Sequence, residues 1–171
     1  CYRKGSPLIS LGREIRWQRL GADTEGQSFH LWGRRGEYDL RIPLLGEHQI
    51  ENAATAVGMA KALEKRTRFE ISDSAVKQGV RDAGWPGRLE KISDTPQIIL
   101  DGAHNRDSLQ KALEALHRHF HFSKLVILLA VSKDKDIDGM LELILKEGAS
   151  VVATQFPGVR ALDARDLAEK A

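Results

Sequence analysis

Between residues 14 and 44 apolar and polar positions alternate, most clearly at Phe29 and Leu31 in QSFHLWGR and at Tyr38, Leu40 and Ile42 in EYDLRIPL. A period of two sends successive side chains to opposite faces of a strand. With EIRWQRL at 14–20, these runs predict a small antiparallel sheet with one covered and one wetter face. PLISL at 7–11 reads as a further short strand, and Arg35 with Gly36 as a tight hairpin between the last two runs. Pro43 and Gly46 then interrupt the pattern, and a different period takes over.

From His48 to Leu63 the residues Ile50, Ala53, Ala54, Val57, Ala60 and Leu63 recur at helical spacing, predicting an amphipathic helix whose alanines allow close approach to a neighbour. A second helix is predicted from Asp73 to Ala83, with Ser72 as its N-cap and Ala75, Val76 and Val80 on one side. Gly84, Pro86 and Gly87 end it and mark a domain boundary, giving segments 1–87 and 88–171. Beyond it strand and helix patterns alternate: QIILD, a helix from Ser108 to Phe120, KLVILLAV, a helix from Ile137 to Lys146 stopped by Gly148, ASVVAT, and a helix from near Ala164. Leu109, Leu113, Leu116 and Phe120 form the apolar stripe of the first of these helices. This rhythm predicts βαβ units, hence an α/β fold with a mostly parallel sheet flanked by helices.

Composition adds exclusions. Of 171 residues, 42% are hydrophobic and 29% charged, which is ordinary globular usage. The net charge of +2 is spread along the chain without a basic stripe, which argues against a nucleic-acid partner. The longest apolar run, LVILLAV at 125–131, is far short of the roughly 20 residues a membrane-spanning helix needs. Cys1 is the only cysteine, so an internal disulfide or a multi-thiolate metal site is excluded, and a reducing, cytoplasmic setting is expected. The chain opens without Met and stops inside a helical pattern, so it is expected to be a piece of a longer protein.

Candidate chemistry gathers in WPGRLEKI at 85–92 and DGAHN at 101–105. An arginine can chelate phosphate oxygens, a carboxylate at a strand end can accept ribose hydroxyls, and a helix starting near Asn105 favours negative charge. Arg88, Asp101 and His104 therefore suggest a phosphorylated ligand. Taken singly, each has a plain alternative: Asp101 as a turn or capping residue, His104 as a hydrogen-bonding side chain, Arg88 as a stem over apolar surface. Neither GxxxxGK[ST] nor GxGxxG occurs, so the chain would supply only part of an ATP site. His117, His119 and His121 sit at a helix end with mixed facing and are read as solvated rather than metal-binding.

In collinear order, LLGEHQIENAATAVGMAKAL, WPGRLEKI, IILDGAHNRDSL, LLAVSKDKDIDGML and RALDARDLA resemble the folylpolyglutamate and dihydrofolate synthases of the Mur ligase superfamily. The resemblance runs from Leu44 to the end. It implies a Rossmann-like C-terminal domain at 88–171, preceded at 1–87 by the end of an ATPase domain. It also implies ATP-dependent addition of L-glutamate to folate or dihydropteroate through an acyl phosphate, by a cytoplasmic and monomeric enzyme. Carried over by position, Asn52, Arg88 and Asp101 match the family's ATP contacts, and His104 matches a histidine close to the chemistry. Gln49 and His48 fall in the same motif, with helix-start capping as an equal reading. The family's phosphate loop, Mg2+ ligands and much of the folate site are expected upstream of residue 1, so no metal ligand is assigned and this chain alone is expected to be inactive. The family usually has proline after AHN, and this chain has Arg106. Two rivals remain: a peptidoglycan-precursor Mur ligase, and a non-catalytic α/β module binding a nucleotide or a protein.

Overall fold

A computed structural model describes residues 2–5, 8–34, 36–67 and 69–171. Cys1, Pro7 of the PLISL run and Arg35 of the hairpin signal lie outside the described residues. The described chain packs as two compact units, Cys1–Leu100 and Asp101–Ala171.

In the first unit a 3-10 turn at Tyr2–Lys4 precedes the antiparallel meander β1 (Ile15–Asp23), β2 (Gly26–Gly33) and β3 (Gly36–Ile42), in that spatial order. The alternation noted above is the burial pattern: Phe29, Leu31, Tyr38, Leu40 and Ile42 are all buried on one face. Two helices cover that face, α1 (Glu47–Arg66) through Ile50, Ala53, Ala54 and Val57, and α2 (Asp73–Arg81) through Val76 and Val80. Small residues set the approach of α1 to β1, since a Cβ on Gly58 would fall 2.4 Å from Ile15 Cδ1. Ser72 caps α2 as expected, its hydroxyl accepting from the Ala75 N–H at 3.2 Å. The run at 8–11 is no strand; only Leu11 forms an isolated bridge, to Ile15. The Glu14 carboxylate explains this, because it accepts from both the backbone N–H and the hydroxyl of Ser10 and closes a turn there.

The segment after Pro86 also differs from expectation. β4 (Glu90–Asp94) and β5 (Gln97–Leu100) form an antiparallel hairpin, so QIIL pairs with the neighbouring strand instead of opening the parallel sheet. By packing the hairpin stays with the first unit, where Lys91 Nζ lies 3.8 Å from the Glu25 carboxylate at the β1–β2 turn. The packing division therefore falls after Leu100, beyond the Gly and Pro cluster at 84–87.

The second unit is the expected strand and helix alternation: α3 (Arg106–His119), β6 (Val126–Leu129), α4 (Ile137–Lys146), β7 (Ser150–Ala153) and α5 (Ala164–Lys170). β6 and β7 pair in parallel, Leu128 opposite Val152. Ile127, Leu129, Val151 and Ala153 join the core built by Leu109, Leu113, Met140, Ile144 and Leu167. Residues of the other sheet face, such as Leu128 at 69% exposure, stay open. The α/β class and its two sheet types agree with the sequence reading.

Candidate functional site

The loop entering α1 is built without a side-chain cap. Gly46, at φ 99°, occupies the N-cap position, and neither His48 nor Gln49 caps the helix. The fully buried Gln27 on β2 fixes the turn instead, its Nε2 donating to the Leu44 carbonyl at 2.8 Å and the Gly46 carbonyl at 2.6 Å. Gln49, one turn into the helix and 5% exposed, is free for another task. Its amide donates to His48 Nε2 at 3.1 Å, while its Oε1 accepts from Asn52 Nδ2 at 3.1 Å. That relay fixes which way the exposed Asn52 amide faces and leaves its Oδ1 as an open acceptor beside a second N–H.

Arg88 is held by an equally constrained turn. Pro86 has a restricted φ, Gly87 lies in the left-handed region at φ 68°, and the Glu90 carboxylate accepts from the Gly87 N–H at 2.7 Å. Leu89 is buried at φ 45°, a left-handed conformation that a branched side chain adopts only at a cost of about 1–3 kcal/mol. Arg88 is half-buried and donates to the Gly87 carbonyl at 3.2 Å; among the described residues no carboxylate lies within ion-pairing distance of it. A guanidinium so placed keeps most of its donors for an incoming anion.

Asn52 and Arg88 line one cavity of about 560 Å³ between α1 and α2, with Gln49 and Trp85 alongside them. Elsewhere its wall is apolar, made of residues such as Ala56, Val57, Val76 and Val80. The arrangement suits a ligand with a flat apolar body, an edge carrying both a donor and an acceptor, and negative charge. A carboxamide can engage the N6 and N7 edge of adenine in two hydrogen bonds, and a guanidinium can engage phosphate.

Asp101 and His104 are both exposed and lie together on a loop of the second unit, ahead of α3. Asp101 Oδ1 accepts from the Ala103 N–H at 2.7 Å, so the plain turn role weighed for this residue is present. His104 Nδ1 lies 3.0 Å from the Gly102 carbonyl, which can only accept, so the proton sits on Nδ1 and the neutral ring keeps its lone pair on Nε2. Asn105 and Ser108 form a capping box, and the Ser108 hydroxyl also accepts from the His104 N–H at 3.1 Å. Arg106 occupies the first helical position and pairs with Glu142 of α4 at 3.1 Å. Among the described residues no group of three or more His, Cys, Asp or Glu side chains is arranged to hold a metal ion. His117 pairs with Glu147 and packs against Phe122.

Trp85 was not among the residues singled out for binding, and Gln49 was named only with helix-start capping as an equal reading. Both stand in strings that carried the motif, and only the cavity shows that they share a wall with Asn52 and Arg88.

Residues 88–170 match the family "Dihydrofolate synthetase, C-terminal domain". The folylpolyglutamate synthase of Lacticaseibacillus casei is 34% identical over 152 residues, covering 83% of this chain and 35% of that protein. A Mycobacterium tuberculosis folylpolyglutamate synthase structure, complexed with ADP and AMPPCP, superposes with a TM-score of 0.89 at 34% identity, covering 99% of this chain and 38% of that one. A cell-wall relative, the UDP-N-acetylmuramoyl-L-alanyl-D-glutamate--2,6-diaminopimelate ligase of Zymomonas mobilis, is 31% identical over 68% of this chain and 24% of its own length. The chain thus spans little more than a third of the folate relatives it matches, 35% of one and 38% of the other.

Proposed function

The chain belongs to the folylpolyglutamate and dihydrofolate synthase family, and from that premise we propose that the protein it forms part of joins L-glutamate to a folate or dihydropteroate at the expense of ATP. In that reaction a substrate carboxylate takes the γ-phosphoryl group of ATP, giving an acyl phosphate and ADP. The amine of glutamate attacks the acyl carbon, the tetrahedral species collapses with loss of inorganic phosphate, and an amide bond remains.

Within this reading residues 1–87 are the end of the ATPase domain and 88–171 the Rossmann-like C-terminal domain. Asn52 binds the adenine edge, Arg88 the nearby phosphate, and Asp101 the nucleotide. His104 serves the reaction in a supporting role, its Nε2 accepting a proton or hydrogen bond from the incoming amine. Mg2+ would neutralise the phosphates, and its ligands are assigned to the rest of the protein. The enzyme acts as a cytoplasmic monomer.

One observation carries this reading: an oriented carboxamide and an unneutralised guanidinium, distant in sequence, line the same apolar cavity. The test is calorimetric titration of the complete protein with ADP. Asn52→Ala and Arg88→Ala are each expected to weaken binding about tenfold or more, consistent with the roughly 1–3 kcal/mol of a bidentate base contact or a charged hydrogen bond. Unchanged affinity in both variants would remove the nucleotide from this cavity.

The match to a cell-wall ligase keeps a second reading alive, in which the carboxylate belongs to a nucleotide-linked muropeptide. The nucleotide chemistry of the cavity is the same in both. Only a comparison of carboxylate substrates separates them.

A further inference from the structure

Trp85 is 65% exposed, a large indole left in solvent, and it lines the cavity that also holds Asn52 and Arg88. It pairs with no other ring among the described residues, whereas Trp32 stacks on His30 at 5.3 Å. The turn that carries it is rigid, because Pro86 follows directly and the Gly87 N–H is tied to Glu90. Indole and guanidinium therefore leave one constrained tetrapeptide toward one cavity. Burial accounts for the indole only in part, and its exposed remainder is available to a ligand in the cavity it lines.

We propose that Trp85 is a nucleobase-stacking residue, its indole face covering the purine whose edge Asn52 reads. The inference rests on the nucleotide reading given above and deepens it. Stacking accounts for what the other two residues do not, since a carboxamide binds only the edge of a base and a guanidinium only charge. The flat apolar face of the purine needs a matching surface, and a rigid aromatic ring provides one at little conformational cost.

The test compares ADP with inorganic tripolyphosphate as ligands of the complete protein, measured by titration calorimetry and by competition. Trp85→Ala is expected to weaken ADP binding about tenfold or more while leaving tripolyphosphate affinity unchanged, and Trp85→Phe is expected to retain most of the ADP affinity. Indole fluorescence gives a second readout: ADP should quench the emission of the wild type, and Trp85→Phe should abolish that quench although Trp17 and Trp32 remain. Equal ADP affinity in the wild type and Trp85→Ala, or equal loss of ADP and tripolyphosphate binding, would overturn the stacking role. A wild type that binds no ADP would instead sink the nucleotide reading, and the stacking role with it.

Discussion

Gln27 shows how a residue outside the cavity wall supports the helix that forms it. It is fully buried on β2, and its amide nitrogen holds two carbonyls of the turn that launches α1, the helix bearing Gln49 and Asn52. Its Oε1 accepts no hydrogen bond among the described groups, so the side chain spends its binding capacity on one end only. Gln27→Ala would take the amide donor from the Leu44 carbonyl and leave the Gly46 carbonyl only the Gln49 N–H, and we expect a loss of about 1–3 kcal/mol in unfolding free energy, measured by urea denaturation. An unchanged midpoint would mean that water replaces the amide. In the sequence Gln27 is a polar residue at the start of a strand, and nothing there marks it as buried. Asn52 and Arg88 were legible only through their motif strings, because no period or charge pattern brings together side chains that the chain separates so widely.

At the scale of elements, the sequence reading went furthest where one apolar stripe met one period. α1, α2, α4 and the covered face of β2 and β3 follow directly from their patterns. β4 was missed because WPGRLEKI was read for its chemistry, although its residues alternate in exposure as a strand's do. β5 was assigned to the wrong partner for a physical reason: four apolar residues in a row identify a strand without saying which strand it pairs with.

The start of α3 is the element whose chemistry is most directly testable. Its capping box joins Asn105 to Ser108, and Ser108 in turn holds the His104 N–H. Asn105→Ala should cost about 1 kcal/mol in thermal or chemical unfolding, and Asn105→Asp much less, since aspartate caps equally well. Arg106 stands at the first helical position, where proline is well tolerated. Arg106→Pro forfeits only the half-exposed pair with Glu142, worth under about 1 kcal/mol. Its stability and the kinetics of the complete protein are expected to match the wild type. A fall in kcat/KM at unchanged stability would show that the Arg106 charge reaches substrate.

For the whole molecule, two separate cores account for the two units, one of sheet and helices around Phe29 and Ile50, the other around Met140, Ile144 and Leu167. The pattern of the sequence changes at the Gly and Pro cluster, whereas by packing the β4–β5 hairpin stays with the first unit through contacts such as Lys91 with Glu25. What the chain holds is an apolar cavity lined by Asn52 and Arg88 and a loop bearing His104, within little more than a third of the length of its folate relatives, 35% and 38% in the two compared. The most direct test is an assay of the complete protein for incorporation of labelled L-glutamate, with ATP and Mg2+, into tetrahydrofolate, dihydropteroate or a nucleotide-linked muropeptide. ATP-dependent incorporation into a pteridine substrate, lost in Arg88→Ala and absent from the 171-residue chain alone, is the predicted result; incorporation into the muropeptide only, or turnover by the isolated chain, would contradict it.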